Sequence, residues 1–129
     1  MKKTTLCAAL LWCATTQAVL AKDGYSAAYS QCMDAAGGVT SSMNECNGAE
    51  IKRQDARLNQ GYKAAMAGLE PAQQGKLRDA QRAWIKYRDT NCAMYYTLTG
   101  GTIDVLNGAA CTLSMTKARA DELAALLGP

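Results

Sequence analysis

The sequence has no histidine, no phenylalanine, only two prolines and only two tryptophans among its 129 residues. Without histidine there is no Ser-His-Asp triad, no Cys-His pair, no His-ligated metal and no imidazole pH switch. No CxxC spacing occurs, which removes the usual dithiol redox motif and, with histidine missing, leaves no zinc set. A dominant charge is missing too. The chain carries 14 Lys and Arg against 11 Asp and Glu, and residues 22–129 carry 12 against 11. That balance argues neither for nucleic acid or an anionic membrane nor for steering toward a strongly basic partner. The length supports one small domain.

What is present begins with an export signal. Residues 1–21 read MKKTTLCAALLWCATTQAVLA: two lysines, an apolar stretch from Leu6 to about Ala14, then Val19-Leu20-Ala21. This is the pattern of a secretory leader cut after Ala21, and its apolar run is too short for a bilayer span. Cys7 would leave almost no apolar stretch before it and Cys13 follows the bulky Trp12, so neither reads as a lipid-attachment site. The expected product is a single domain over residues 22–129, periplasmic or secreted, with no membrane anchor.

Four cysteines remain, Cys32, Cys46, Cys92 and Cys111. An even number in a small exported domain reads as a disulfide framework. Of the three pairings, Cys32–Cys46 and Cys92–Cys111 are favoured. Each joins the flanks of an expected turn, at Gly37-Gly38 and Gly100-Gly101. Loops of this size add about 3 kcal/mol each in the chain-entropy model.

Apolar residues recur at helical rather than alternating spacing, with little clustering of β-branched residues. A first helix is expected over residues 25–35, ending at Gly37-Gly38. Thr40 or Ser41 caps a second helix running to about Leu69, and Glu70-Pro71 breaks it, with Pro71 suited to the first turn of a third. That helix runs to about Leu98. Thr102 to Leu106 forms a further helical turn, and a last helix covers roughly residues 113–127. The fold class is all-α: a small disulfide-stapled helical bundle built on a long antiparallel helix hairpin.

On the second helix Ile51, Asp55, Leu58, Tyr62, Ala65, Met66 and Leu69 fall on one stripe. On the third, Leu77, Ala80, Gln81, Trp84, Tyr87, Arg88, Asn91 and Tyr95 do the same. The short connection brings the stripes face to face, while Cys46 and Ala49 point to the other side, toward the first helix. Asp55, Gln81 and Arg88 interrupt the stripes with polarity. An unpaired charge in such a place is costly. An internal polar network of Asp55, Gln81, Arg88 and Arg119 is therefore expected, pairing Asp55 with Arg88 or Arg119 and making Asp55→Ala strongly destabilising. The alternative use of the same residues is the floor of a binding pocket.

The strings Tyr29-x-x-Cys32, Gly38-x-Thr40 and Met43-x-x-Cys46 are followed by Asp55-x-x-Leu58-Asn59-x-x-Tyr62 and Gln81-x-x-Trp84-x-x-Tyr87-Arg88-Asp89-x-x-Cys92. Gly100-Gly101-Thr102, Cys111 and Thr116-x-x-Arg119-x-x-x-Leu123 complete the set. This order resembles the LprI-like lysozyme-inhibitor family (N-terminal domain), small exported bacterial domains. The resemblance covers nearly all of residues 25–127, and the run from Gln81 to Cys92 is its most specific part. It implies a cell-envelope protein that binds and blocks a lysozyme-type muramidase.

The residues themselves offer no catalytic constellation. Asp121 and Glu122 are adjacent on a helix and diverge by about 100°. Ser41, Ser42 and Ser114 have no evident base. Gly100-Gly101-Thr102 lacks the GxxxxGK pattern of a phosphate loop. No cofactor, metal or nucleic acid is expected. The partner is a lysozyme or another envelope protein, and Gly100, Gly101 and Thr102, held by Cys92–Cys111, form the expected partner-binding loop. A different class of function uses the gap around Asp55, Gln81 and Arg88. There an envelope accessory or stress-related module would bind another protein or a small ligand.

Overall fold

The computed structural model describes residues 24–126 and 128, so the expected leader over residues 1–21 lies outside the described residues. Among the described residues four helices follow in order: α1 (Ala27–Ala36), α2 (Thr40–Gly68), α3 (Pro71–Tyr95) and α4 (Ile103–Ala125). Among the described residues there is no strand. Both disulfides join the sequence-local partners, Cys32 to Cys46 and Cys92 to Cys111, with Cα–Cα separations of 5.7 and 5.5 Å.

Local chemistry sets the helix boundaries. α1 starts two residues later than the pattern predicts, because the Ser26 hydroxyl accepts the Tyr29 N–H at 3.1 Å and fixes the N-cap there. It ends at Gly37, whose φ of 55° is the left-handed stop that glycine adopts without strain. Neither Thr40 nor Ser41 caps α2. The Val39 N–H bonds back to Ala36 O at 2.9 Å, so the turn itself delivers Val39 as the N-cap and Thr40 is already helical. Between α2 and α3, Glu70 and Gln73 form a reciprocal capping box with Pro71 in the first turn. The Gln74 side chain donates to Met66 O and Leu69 O, satisfying carbonyls at the end of α2.

The largest departure from the sequence pattern is at the end of the chain. In place of a turn of helix and a separate last helix, α4 runs unbroken through Asn107-Gly108. The Tyr96 ring lies against Gly108 so closely that a Cβ there would collide with it. Gly108 is thus a packing site rather than a breaker, and the tertiary contact offsets its poor helix propensity.

α4 is also the centre of the bundle. It packs along α2 more extensively than any other pair of elements meets, with α3–α4 and α1–α2 next. Contrary to the face-to-face packing expected of the α2 and α3 stripes, these two helices barely meet: each lies on α4, which forms the layer beneath both. Leu58, Ala120 and Leu123 are buried at its centre, with Tyr62, Leu77 and Trp84 packed against them. No helix among the described residues is long and apolar enough to cross a membrane.

Candidate functional site

Because α2 and α3 stand apart on α4, an open groove of about 400 Å³ lies between them. Asp55, Leu58, Asn59 and Tyr62 line it from α2; Arg78, Gln81, Arg82, Trp84, Ile85 and Arg88 line it from α3. The expected polar residues gather here in part. The Arg119 Nε donates to Gln81 Oε1 at 2.9 Å, and Arg119 also pairs with Glu122 at 2.8 Å. Arg88 reaches from α3 to Thr116 Oγ1 on α4 at 3.4 Å and pairs with Asp89 at 2.8 Å. Both guanidinium groups lie over the Trp84 ring, at 5.0 Å for Arg88 and 6.0 Å for Arg119. Cation–π attraction holds them there.

Asp55 departs from the expectation. It is exposed on the groove wall, and its carboxylate accepts from Asn59 at 3.1 Å rather than pairing with Arg88 or Arg119. Each arginine has a nearer acid on its own helix, which removes the need for Asp55. Truncating Asp55 therefore leaves no buried charge unpaired, and the strong destabilisation expected from the sequence is not supported.

The buried carboxylates lie elsewhere. Glu50 is fully buried and collects the Ser26 N–H at 3.0 Å, the Ser26 hydroxyl at 2.6 Å, Arg53 at 2.6 Å and Gln54 at 2.7 Å. Burial alone would push its carboxyl up, but these hydrogen bonds outweigh that effect and bring it down to about 2. The signal was available in the sequence, since Cys46, Glu50, Gln54 and Leu58 recur at steps of four along the face that meets α1 and α4. Asp104, in the first turn of α4, is the second. Its carboxylate accepts from the Thr99 N–H, the Thr99 hydroxyl and the Gly100 N–H at 2.8–3.2 Å. Burial again opposes ionisation, and these donors with the Asn107 side chain hold its carboxyl below the usual range.

Asp104 therefore fixes the loop Gly100-Gly101-Thr102. Gly100 has φ 73°, and the Gly101 N–H bonds to Thr99 Oγ1 at 3.2 Å. Around this rigid turn Met94, Tyr96, Leu98, Ile103 and Val105 are exposed, Leu98 to 56% and Ile103 to 49%. Five large apolar side chains are thus exposed within a dozen residues of sequence on either side of this turn, and exposed apolar surface of this kind is what a contact site needs. The sequence pointed to the glycines and to Tyr96 as a surface residue, but not to the collar residues Leu98, Ile103 and Val105 beside them.

Asp121 and Glu122 diverge as expected, yet Asp121 is tied to Arg57 of α2 at 2.8 Å and to Lys117 at 2.7 Å. Opposed by burial, these two cations nonetheless hold its carboxyl below the usual value. Among the described residues no group of three or more His, Cys, Asp or Glu could hold a metal ion.

Comparison with known proteins bears on this arrangement. The sequence model of the family described as "Lysozyme inhibitor LprI" matches residues 32–123, the span that holds both disulfides, the groove and the apolar collar. An uncharacterized protein of Rhizobium meliloti (strain 1021) is 27% identical over 99 residues, covering 66% of this chain and 71% of that protein. No solved structure matches.

Proposed function

The chain belongs to the lysozyme inhibitor LprI family, and on that premise we propose that it is an exported binding protein of the cell envelope, not an enzyme, that blocks a lysozyme-type muramidase. The family match over residues 32–123 is the observation that carries this reading. The surface at the α3–α4 end supports it. A muramidase cleaves glycan between two carboxyl groups in a cleft, so an inhibitor acts by filling that cleft.

The loop from Thr99 to Thr102, fixed by Asp104 and flanked by Leu98 and Ile103, is the inhibitory face in this reading. A preordered loop loses little conformational entropy on docking, and its apolar collar supplies the desolvated contact area that charge balance does not. The two disulfides belong with an oxidising compartment, which is periplasmic or extracellular.

Titration of the purified protein into a muramidase assay on cell-wall substrate tests the proposal. The expected result is dose-dependent loss of turnover accompanied by a stable complex. Neither inhibition nor binding across lysozymes of several types would overturn it and leave an envelope accessory role in its place.

A further inference from the structure

The α2–α3 groove carries chemistry that the inhibitory reading does not use. Arg78 and Arg82 stand one helical turn apart on its α3 wall, both exposed and, among the described residues, without an ion pair or hydrogen bond. Two neighbouring free guanidinium groups are a forked donor set suited to a carboxylate. The facing α2 wall differs in kind: the Asp55 carboxylate, the Asn59 amide and the Tyr62 hydroxyl are hydrogen-bonding groups rather than counter-ions for an acid. Between the walls lie Leu58 and Trp84, an apolar and aromatic floor.

We infer that this groove is a binding site for an acidic sugar, its carboxylate on Arg78 and Arg82 and its hydroxyls on Asp55, Asn59 and Tyr62. A neutral sugar leaves both guanidinium groups unpaired. A simple dicarboxylate sets its second negative charge against Asp55. A sugar acid satisfies both walls, with Leu58 and the uncovered edge of Trp84 offering apolar contact between them. The groove's volume of about 400 Å³ is in the range of small-molecule sites. This inference stands on the groove and is independent of lysozyme inhibition.

The test uses the full chain, labelled with ¹⁵N, and follows the indole N–H signal of Trp84, assigned by its loss in Trp84→Phe. D-glucuronate, D-glucose and glutarate are titrated separately. Glucuronate is expected to move the signal saturably, with glucose and glutarate each binding at least about tenfold more weakly. The double variant Arg78→Gln/Arg82→Gln is expected to weaken glucuronate binding about tenfold or more with an unchanged melting temperature, since neither side chain holds the fold. Equal binding of glucose, equal binding of glutarate, or no movement with any of the three would each overturn the inference. Should the double variant fail to fold, the three-ligand comparison on the unaltered protein still decides. Muramidase inhibition measured on the same variant separates the two sites, because loss of sugar binding is expected to leave inhibition intact.

Discussion

At the α1–α2 end, Cys32–Cys46 clips a short helix onto a long one, and beneath it Glu50 gathers four hydrogen bonds from Ser26, Arg53 and Gln54. At the α3–α4 end, Cys92–Cys111 lies near a loop that Asp104 gathers in the same manner through Thr99 and Gly100. Each end thus pairs one disulfide with one buried carboxylate, so rigidity does not distinguish them. The surfaces do. Val39 is the exposed large apolar residue next to the first turn, whereas Met94, Tyr96, Leu98, Ile103 and Val105 surround the second. The same construction leaves one end nearly without exposed large apolar residues and the other surrounded by them.

The strongest perturbation of that comparison is Glu50→Ala. It strands the Ser26 and Gln54 donors, at a penalty of about 1–3 kcal/mol for each buried group left unpaired, so a total loss of about 3 kcal/mol or more is expected in urea unfolding. The same carboxylate gives a pH signature. Its pKa is lowered to about 2 in the folded protein, so its contribution is complete above the ordinary carboxylate range and disappears as the pH falls from about 4.5 toward 2. Glu50→Gln should flatten that part of the melting-temperature profile. Removing Cys32–Cys46 through a double serine variant should lower stability by about 3 kcal/mol.

At the other end, Gly108→Ala drives a methyl group into the Tyr96 ring. Overpacking of this kind costs about 1–3 kcal/mol. Displacement of Tyr96 should show as a changed near-ultraviolet dichroism signal. Asp55→Ala is expected to change stability by less than about 0.5 kcal/mol, the ordinary effect of an exposed site. A large loss there would restore the internal pairing that the sequence implied.

Much of the fold was legible because its signals are local. A glycine pair ends α1, Glu70-Pro71 separates α2 from α3, and each disulfide spans one turn, although α3 stops at Tyr95, three residues before the expected Leu98. The parts that misled depend on contacts distant in sequence. The expected gap between Leu106 and residue 113 closes because Tyr96 packs on Gly108, filling the space that a side chain would need. Asp55 reads as internal until α4 intervenes and Arg88 and Arg119 are claimed by Asp89 and Glu122. In the groove, Gln81, Trp84 and Arg88 were visible as polar and aromatic interruptions of a stripe. The free pair Arg78 and Arg82 was not, since a charge on an exposed helix face looks the same whether it faces open solvent or a groove. Of the exposed apolar residues near the glycine turn, only Tyr96 was legible as surface; the others sit where the sequence pattern assigns no face at all.

The contrast between the two ends is tested most directly by one muramidase titration with three proteins: the unaltered chain, Leu98→Ser/Ile103→Ser at the collar, and Val39→Ser at the opposite end. Inhibition by the unaltered chain and by Val39→Ser with the same midpoint, and at least about a tenfold weaker midpoint for the collar variant, is the predicted outcome. Equal potency of all three, or the loss falling on Val39→Ser, would contradict the assignment of the contact face to the α3–α4 end.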